Sequence, residues 1–149
     1  MKRILYMLLI VTAMVIPTRP QELGKLKAVE VIRIHQDADV FVIETDMGDC
    51  GRGSTIEEAI ENLKVTTPGA VYLDTAEYLL ISIEEEVWIQ ELKSYLKDSV
   101  RVCLCEGEMD LEKAAEYLRV HQPLIRLGEY KRGVNCQLLV SKNERLELK

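Results

Sequence analysis

The segment that most constrains the fold is an apolar run near the middle of the chain, Glu77 to Ile83. It reads Glu-Tyr-Leu-Leu-Ile-Ser-Ile and has almost no polar interruption. A short run of this kind is typical of a strand that is covered on both faces, and therefore of a central strand. Because covering both faces requires other elements, the rest of the chain must supply helices that pack on the sheet.

Three helices are predicted from periodicity and capping residues. The first begins at Ser54 or Thr55 and has apolar residues at helical spacing as far as Leu63. The second is predicted over residues 84–96, with glutamates in its first turn. The third follows Asp110, a residue type that caps helix N-termini. These helices alternate with strand-like segments, an order typical of parallel strand pairs.

The remaining strand-like segments complete a mixed sheet. Residues 28–35 and 40–45 are rich in β-branched residues and are separated by a polar turn, so we expect an antiparallel hairpin. Residues 46–53 contain three glycines and are predicted as a loop. Further strands are predicted at residues 100–105 and 134–141, with shorter strand patterns at 71–73 and 145–148. The predicted fold class is α/β (α+β), a mixed β-sheet flanked by about three helices and preceded by an N-terminal apolar signal or anchor helix.

The N-terminus has the residue order of a secretory signal or a membrane anchor. Lys2 and Arg3 precede an uncharged apolar run from Ile4 to Ile16. Because this run has about 13 residues and a bilayer-spanning helix needs roughly 20, a cleaved signal peptide is favoured over a permanent span. We therefore expect residues 1–21 to be a signal peptide or membrane anchor plus linker, and residues 22–149 to form a single α/β domain. The alternative is a buried N-terminal helix of a cytosolic protein.

Acidic charge dominates the part of the chain that follows this leader. Removal of Lys2, Arg3 and Arg19 lowers the basic residues from 19 to 16 against 25 acidic residues, which leaves a net charge of about −9. No basic stripe with interleaved aromatic residues remains, so nucleic acid is not an expected partner. An anionic lipid surface would repel such a domain, so membrane association is expected only through an uncleaved N-terminal segment.

The four cysteines, Cys50, Cys103, Cys105 and Cys136, allow more than one interpretation. In an exported chain an even number permits two disulfides, with three possible connectivities. Cys103 and Cys105 point to the same face of one predicted strand, so they are poorly placed to bond to each other. The other interpretation is buried free thiols, which pack as small hydrophobic groups.

No set of residues forms a recognisable catalytic, cofactor or metal motif. Residues 47–54 precede a helix N-terminus but lack the glycine pattern of a nucleotide site, and nearby carboxylates would repel phosphate. Cys50 and His121 could be drawn as a nucleophile and its base, but their spacing does not support a dyad. The glutamates at residues 84–86 are expected to be solvated at a helix start. We therefore predict no catalytic residue, no cofactor, no nucleotide and no metal.

The element order, read with its residues, resembles the N-terminal domain of the Ger(x)C family, the C subunits of spore germinant receptors. The family helix has the form T-x-x-E-A-x-x-N-L, and residues 55–63 read Thr-Ile-Glu-Glu-Ala-Ile-Glu-Asn-Leu. The family's Pro-containing turn, apolar strand ending in serine and glutamate-rich helix start are similar to residues 67–69, 78–82 and 84–85.

This resemblance covers roughly residues 27–118 and implies an α/β fold in a sporulation or spore germination setting. Family members carry a cysteine at the signal junction, whereas residues 8–23 contain none, and they carry further domains. The matching positions are structural, so no functional residue is transferred.

Taken together, these features predict an exported or membrane-tethered, non-enzymatic domain that binds a protein partner at the cell envelope, outside the cytoplasm. Two alternatives remain open. One is a thiol-dependent redox or hydrolytic enzyme that uses one of the cysteines, which requires an exposed thiol of lowered pKa. The other is a cytosolic structural subunit whose first helix packs into an oligomer.

Overall fold

The computed structural model of the protein describes residues 26–142 and 145–149. Strands and α-helices alternate in this part of the chain, with short 3₁₀ turns between some of them. The elements are β1 (Leu26–Ala28), β2 (Val31–Asp37), β3 (Val40–Thr45), β4 (Cys50–Gly53), α1 (Ile56–Thr66), β5 (Ala70–Tyr72), β6 (Tyr78–Ser82), α2 (Ile89–Leu92), β7 (Arg101–Glu106), α3 (Leu111–Val120), β8 (Leu138–Lys142) and β9 (Arg145–Leu148). The predicted signal or anchor at residues 1–21 lies outside the described residues.

Seven strands form one mixed sheet in the order β4-β3-β2-β6-β7-β8-β9. Strands β2, β6, β7 and β8 are parallel to one another. Strands β3 and β4 on one side and β9 on the other pair antiparallel. Strand β6, which contains the apolar run, is the middle strand. The prediction of an α/β (α+β) fold with a mixed sheet and about three helices is confirmed. Strands β1 and β5 form a separate two-stranded parallel sheet.

Helices cover both faces of the large sheet. Helices α1 and α2 pack on the face that carries Leu79 and Val102, and α3 packs on the face that carries Leu80, Cys103 and Cys105. Leu79 and Leu80 are both fully buried, so neighbouring residues of β6 enter opposite layers of the core. Cys103 and Cys105 share one face as predicted, and all four cysteines are free thiols. Among the described residues, no helix has both the length and the apolar character needed to span a bilayer.

Side-chain caps fix where α1 and α3 begin. The Thr55 hydroxyl accepts a hydrogen bond from the Glu58 backbone N–H at 3.1 Å, so Thr55 is the N-cap and Ser54 precedes it. The Glu58 carboxylate in turn accepts from the Ser54 hydroxyl and backbone N–H, and these hydrogen bonds lower the pKa of Glu58. At α3 the Asp110 carboxylate accepts from two backbone N–H groups of the first turn, which confirms Asp110 as its cap.

The prediction that residues 46–53 form a loop is wrong for its last four residues, which form strand β4. This strand pairs antiparallel with β3. Helix α1 lies so close to β4 that a Cβ atom on Gly51 would sit 2.3 Å from the Ala59 carbonyl oxygen, and Gly53 is similarly confined. The glycines therefore serve the close approach of a helix to a strand.

Residues 84–96 do not form the continuous helix that was predicted. They contain a 3₁₀ turn, Ile83–Trp88, followed by the short helix α2. The Glu85 carboxylate accepts a hydrogen bond from the Gln36 backbone N–H, and that of Glu86 accepts from the Tyr130 hydroxyl. These contacts with distant parts of the chain hold the segment in the tighter 3₁₀ geometry, so tertiary structure outweighs helix propensity here.

Candidate functional site

A polar cleft of about 730 Å³ lies at the carboxyl ends of the parallel strands β2, β6 and β7. This is the edge at which open α/β sheets bind their ligands. The charged groups that line the cleft are mainly acidic: Arg33, His35, Asp37, Glu44, Glu84, Glu85 and Glu108. The cleft therefore favours a ligand that carries positive charge or hydrogen-bond donors.

Arg33 ties three elements together at the base of this cleft. It lies on β2 opposite Glu44 of β3, and its Nη1 atom is 3.4 Å from Glu44 Oε2. Its Nη2 atom donates a hydrogen bond of 2.8 Å to the Gly107 carbonyl oxygen, just after β7. The remaining guanidinium nitrogen, Nε, is buried and has no hydrogen-bond partner among the described residues.

His35 lies two residues further along β2, so its side chain is on the same face of the sheet as that of Arg33. Its Nδ1 atom is 3.9 Å from Glu44 Oε2, which is too long for a hydrogen bond. Nδ1 is nevertheless buried and lacks a partner within the described part of the chain.

Glu85 reaches the cleft from the 3₁₀ turn that follows β6. Its Oε1 atom accepts a hydrogen bond from the Gln36 backbone N–H, while its Oε2 atom is buried without a partner among the residues described. Burial raises the pKa of Glu85, against the opposing effect of the Gln36 hydrogen bond. The carboxylate is thus hydrogen-bonded at one oxygen, while the other oxygen is buried and unpaired among the described residues.

Burial disfavours the reactive thiolate form of three of the four cysteines, of which Cys105 lines the cleft. Burial raises the pKa of Cys105, although the nearby Arg33 guanidinium acts in the opposite direction. Burial also raises the pKa of Cys103 to about 12 and that of Cys136 to about 11. Because the thiolate is the reactive form, groups with raised pKa values do not resemble the activated cysteines of thiol enzymes.

The strongest sign of a binding site is the concentration of unpaired polar atoms in this cleft. Across residues 26–142 and 145–149, four buried side-chain polar atoms have no hydrogen-bond partner, and three of them are Arg33 Nε, His35 Nδ1 and Glu85 Oε2. Native proteins satisfy the large majority of such atoms, since an unpaired buried polar group is destabilising. A ligand that hydrogen-bonds to these three atoms would remove that penalty.

One exposed apolar side chain adjoins the cleft. Val40 is 40% exposed and pairs with Asp37, which lines the cleft. The rings of Phe41 and Trp88 meet edge to face, with centroids 5.1 Å apart, and both pack in the core on the other face of the sheet. The apolar group available beside the cleft is therefore Val40.

Of the residues considered from the sequence, Glu84, Glu85 and Cys105 line the cleft, and the expectation that the glutamates are solvated is wrong for Glu85, because its Oε2 atom is buried. The others lie elsewhere or have structural roles. Cys50 is exposed at the start of β4, and His121 follows α3 with its ring stacked on Tyr117 at 4.3 Å. No hydrogen bond between Cys50 and His121 is found among the described residues. In the glycine-rich turn, the Asp46 carboxylate accepts hydrogen bonds from the backbone N–H groups of Glu30 and Val31.

The sequence analysis did not predict that Arg33, His35 and Glu85 meet in one cleft. The alternation of Arg33 and His35 on one strand, opposite Glu44 on the next, was a signal for polar groups on one sheet face. Glu85 comes from a distant segment, and residue spacing does not reveal that contact. Within the described residues, no group of three or more His, Cys, Asp or Glu side chains is placed to hold a metal ion.

Comparisons with protein families, curated proteins and solved structures found no match to this chain. The similarity to the Ger(x)C family stays a prediction from the sequence pattern.

Proposed function

We propose that this chain is a non-enzymatic binding domain, exported or tethered at the cell envelope by its N-terminal segment, which receives a protein partner in the cleft at the carboxyl edge of its sheet. The observation that carries this proposal is the set of three buried polar atoms, on Arg33, His35 and Glu85, that have no hydrogen-bond partner among the described residues. A partner that hydrogen-bonds to these atoms would remove the free-energy penalty of leaving them unpaired.

The chemistry of the cleft indicates what kind of segment the partner presents. Five carboxylates and one arginine line it, so a lysine or arginine side chain from the partner would find complementary charge. The exposed side chain of Val40, which lies opposite the cleft residue Asp37, suits an apolar side chain from the same segment. We therefore expect a partner segment in which a basic residue lies close to an apolar one.

The state of the thiols supports binding over thiol catalysis. Cys103, Cys105 and Cys136 all have raised pKa values, and burial is the largest cause for each. The sporulation or spore germination setting is part of the proposal through the Ger(x)C resemblance, and it names where the partner is to be sought.

The proposal is tested by placing a photoreactive amino acid beside the cleft in cells that produce the full chain. Glu108 lines the cleft and is exposed, and Val65 is 82% exposed near the end of α1, at the opposite end of the sheet. We expect illumination to attach one envelope protein to the chain through position 108 and not through position 65. An identical adduct from both positions, or none from position 108, would overturn the cleft as the binding site.

The location is tested separately by cell fractionation and N-terminal sequencing of the recovered protein. We expect the chain in the envelope or extracellular fraction. Recovery of all of it at full length from the cytosol would contradict the envelope part of the proposal while leaving the cleft experiment valid.

A further inference from the structure

The end strand β9 leaves part of its backbone unpaired on its outer side. Lys149, which follows β9, exchanges two backbone hydrogen bonds with Leu138 of β8. Because hydrogen-bonded pairs alternate along an antiparallel ladder, the backbone N–H and C=O groups of Arg145 and Glu147 also point toward β8. The backbone groups of Leu146 and Leu148 consequently point away from the sheet. The Leu148 N–H donates to the Tyr117 hydroxyl at 3.1 Å. Among the described strands, none pairs with the outer side of β9.

A stripe of α3 lies beside this open edge. With Leu146 it lines a groove of about 360 Å³, and the residues are Lys113, Glu116, Tyr117, Val120 and His121. Val120, an apolar residue of this groove, is 77% exposed. The outer edge of β9 and this α3 stripe are together called the β9 edge surface.

We propose that the β9 edge surface joins two copies of this chain, with their β9 strands antiparallel and related by a two-fold axis at Leu146. In this arrangement Leu146 of one protomer lies opposite Leu146 of the partner subunit, and the two residues exchange both backbone hydrogen bonds. Arg145 then lies opposite Glu147 of the partner subunit, and the same pair recurs across the axis. Opposite charges placed directly across an antiparallel pair stabilise it.

Charge selects this register over its neighbours. Only residues with outward backbone groups can form the hydrogen-bonded pairs, so the register changes in steps of two. A shift that places Leu146 opposite Leu148 brings Glu147 against its own copy and Arg145 against Lys149. A shift in the other direction brings Arg145 against its own copy. A pairing centred on Leu148 would need the Leu148 N–H for its central hydrogen-bonded pair, but Tyr117 already binds that group. In the proposed register Leu148 keeps its bond to Tyr117, and the pairing between copies is confined to Arg145, Leu146 and Glu147.

The side chains of α3 agree with the same two-fold axis. Antiparallel pairing through β9 places both α3 stripes on the same face of the joined sheet, one on each side of the axis. Val120 then becomes covered, and each stripe carries one lysine and one glutamate, so it presents both signs of charge to its copy. Proteins usually protect an exposed edge strand from pairing with other chains. In the proposed dimer, the edge of β9 is instead covered by the β9 strand of the second copy.

This assembly does not depend on the proposed partner at the cleft. The cleft lies at the carboxyl ends of β2, β6 and β7, whereas β9 is the last strand on one side of the sheet. Both clefts therefore stay open in the dimer, which would let it bind a partner with two equivalent segments.

The test is a charge exchange measured by sedimentation equilibrium on the full chain in mild detergent. We expect a concentration-dependent dimer whose dissociation constant rises roughly tenfold in R145E and in E147R, because each reversal creates two like-charge contacts. The double variant R145E/E147R restores opposite charges across the axis and is expected to return the dissociation constant close to that of the original chain.

The control is K64E, which reverses a charge on an exposed pair of α1 and leaves β9 unchanged. A chain that stays monomeric at all concentrations would overturn the proposal. So would a dimer that is insensitive to both single reversals, one that is weakened equally by K64E, or a double variant that is no better than the single ones.

Discussion

Glu85 shows how a single residue prepares the cleft. One of its carboxylate oxygens accepts a hydrogen bond from Gln36, and the other is buried without a partner in the described part of the chain. Burial raises its pKa, so the folded protein holds the proton of Glu85 more tightly than the unfolded chain does. Wherever the folded state binds more protons, stability decreases as the pH rises.

The substitution E85Q tests this relation. Glutamine keeps a carbonyl oxygen for the Gln36 N–H but carries no charge. Below the ordinary carboxyl pKa of 4.5, the wild type and E85Q are expected to be similarly stable, because Glu85 is then protonated in both states. As the pH rises through the raised pKa of Glu85, the wild type is expected to lose stability relative to E85Q.

Urea unfolding across this pH range measures the difference in free energy of unfolding. The control is E84Q, since Glu84 is an exposed neighbour in the same cleft. A pH dependence that is the same in E85Q and the wild type would show that burial does not act on Glu85 as described.

At the scale of elements, the contact between α1 and β4 determines how one side of the sheet is closed. Helix α1 approaches β4 at backbone distance over Gly51 and Gly53. We expect G51A to lower the free energy of unfolding by roughly 1–3 kcal/mol, because the added methyl group overlaps the Ala59 carbonyl oxygen and forces α1 away. Guanidinium unfolding monitored by circular dichroism measures this loss.

The exposed residue between the two glycines provides the comparison for that experiment. R52A changes a side chain of the same strand without entering the α1 contact, and is expected to change stability by less than about 0.5 kcal/mol. Equal losses in G51A and R52A would mean that strand propensity, and not the close approach of α1, governs the position.

The N-cap of α1 is a second prediction at this scale. We expect T55A to destabilise the protein by about 1 kcal/mol, because the Glu58 backbone N–H loses its acceptor. T55S keeps the hydroxyl and is expected to retain most of that stability. Thermal unfolding of the two variants distinguishes loss of the cap from loss of the threonine methyl group, which T55S also removes.

Sequence periodicity correctly predicted the elements whose residue pattern and capping hydrogen bonds are local in the chain. The hairpin of β2 and β3, helix α1, the strand at residues 101–106 and the Asp110 cap all carry their own pattern. Strand β4 was not predicted, because its glycines are required by a helix that follows it in sequence. The segment after β6 was predicted as a longer helix because the sequence pattern does not show its contacts with Gln36 and Tyr130, on which the 3₁₀ geometry depends.

The cleft was missed for the same physical reason. Its unpaired atoms come from β2 and from the turn after β6, and they meet only because β2 and β6 are neighbours in the sheet. Strand order is a property of the assembled layers, and residue spacing along the chain does not specify it. Side-chain alternation along β2 places Arg33 and His35 on the same face of the sheet, but it does not predict their proximity to Glu85.

At the scale of the whole molecule, the four thiols differ in how far they are exposed to solvent. Cys50 is exposed, Cys136 is half-buried, and Cys103 and Cys105 are buried beneath α3. A thiol reagent is therefore expected to label Cys50 rapidly in the folded protein, Cys136 slowly, and Cys103 and Cys105 only after unfolding.

Substitution C50S is expected to remove the rapid phase and leave the others unchanged, as followed by mass spectrometry of the labelled chain. Rapid labelling of Cys103 or Cys105 in the folded protein would instead favour the thiol enzyme as an alternative, since it would require an accessible thiolate.

Strand β1 pairs with β5 in a small sheet of its own, next to the amino ends of β2 and β6. Any pull transmitted through the N-terminal segment would reach this three-residue ladder first. It would then reach the amino end of β2, a strand's length from the cleft. If the leader anchors the chain, the cleft would face away from the anchor, because β1 adjoins the amino end of β2 and the cleft lies at its carboxyl end. Mechanical load would then separate the β1–β5 pair before it reached the cleft.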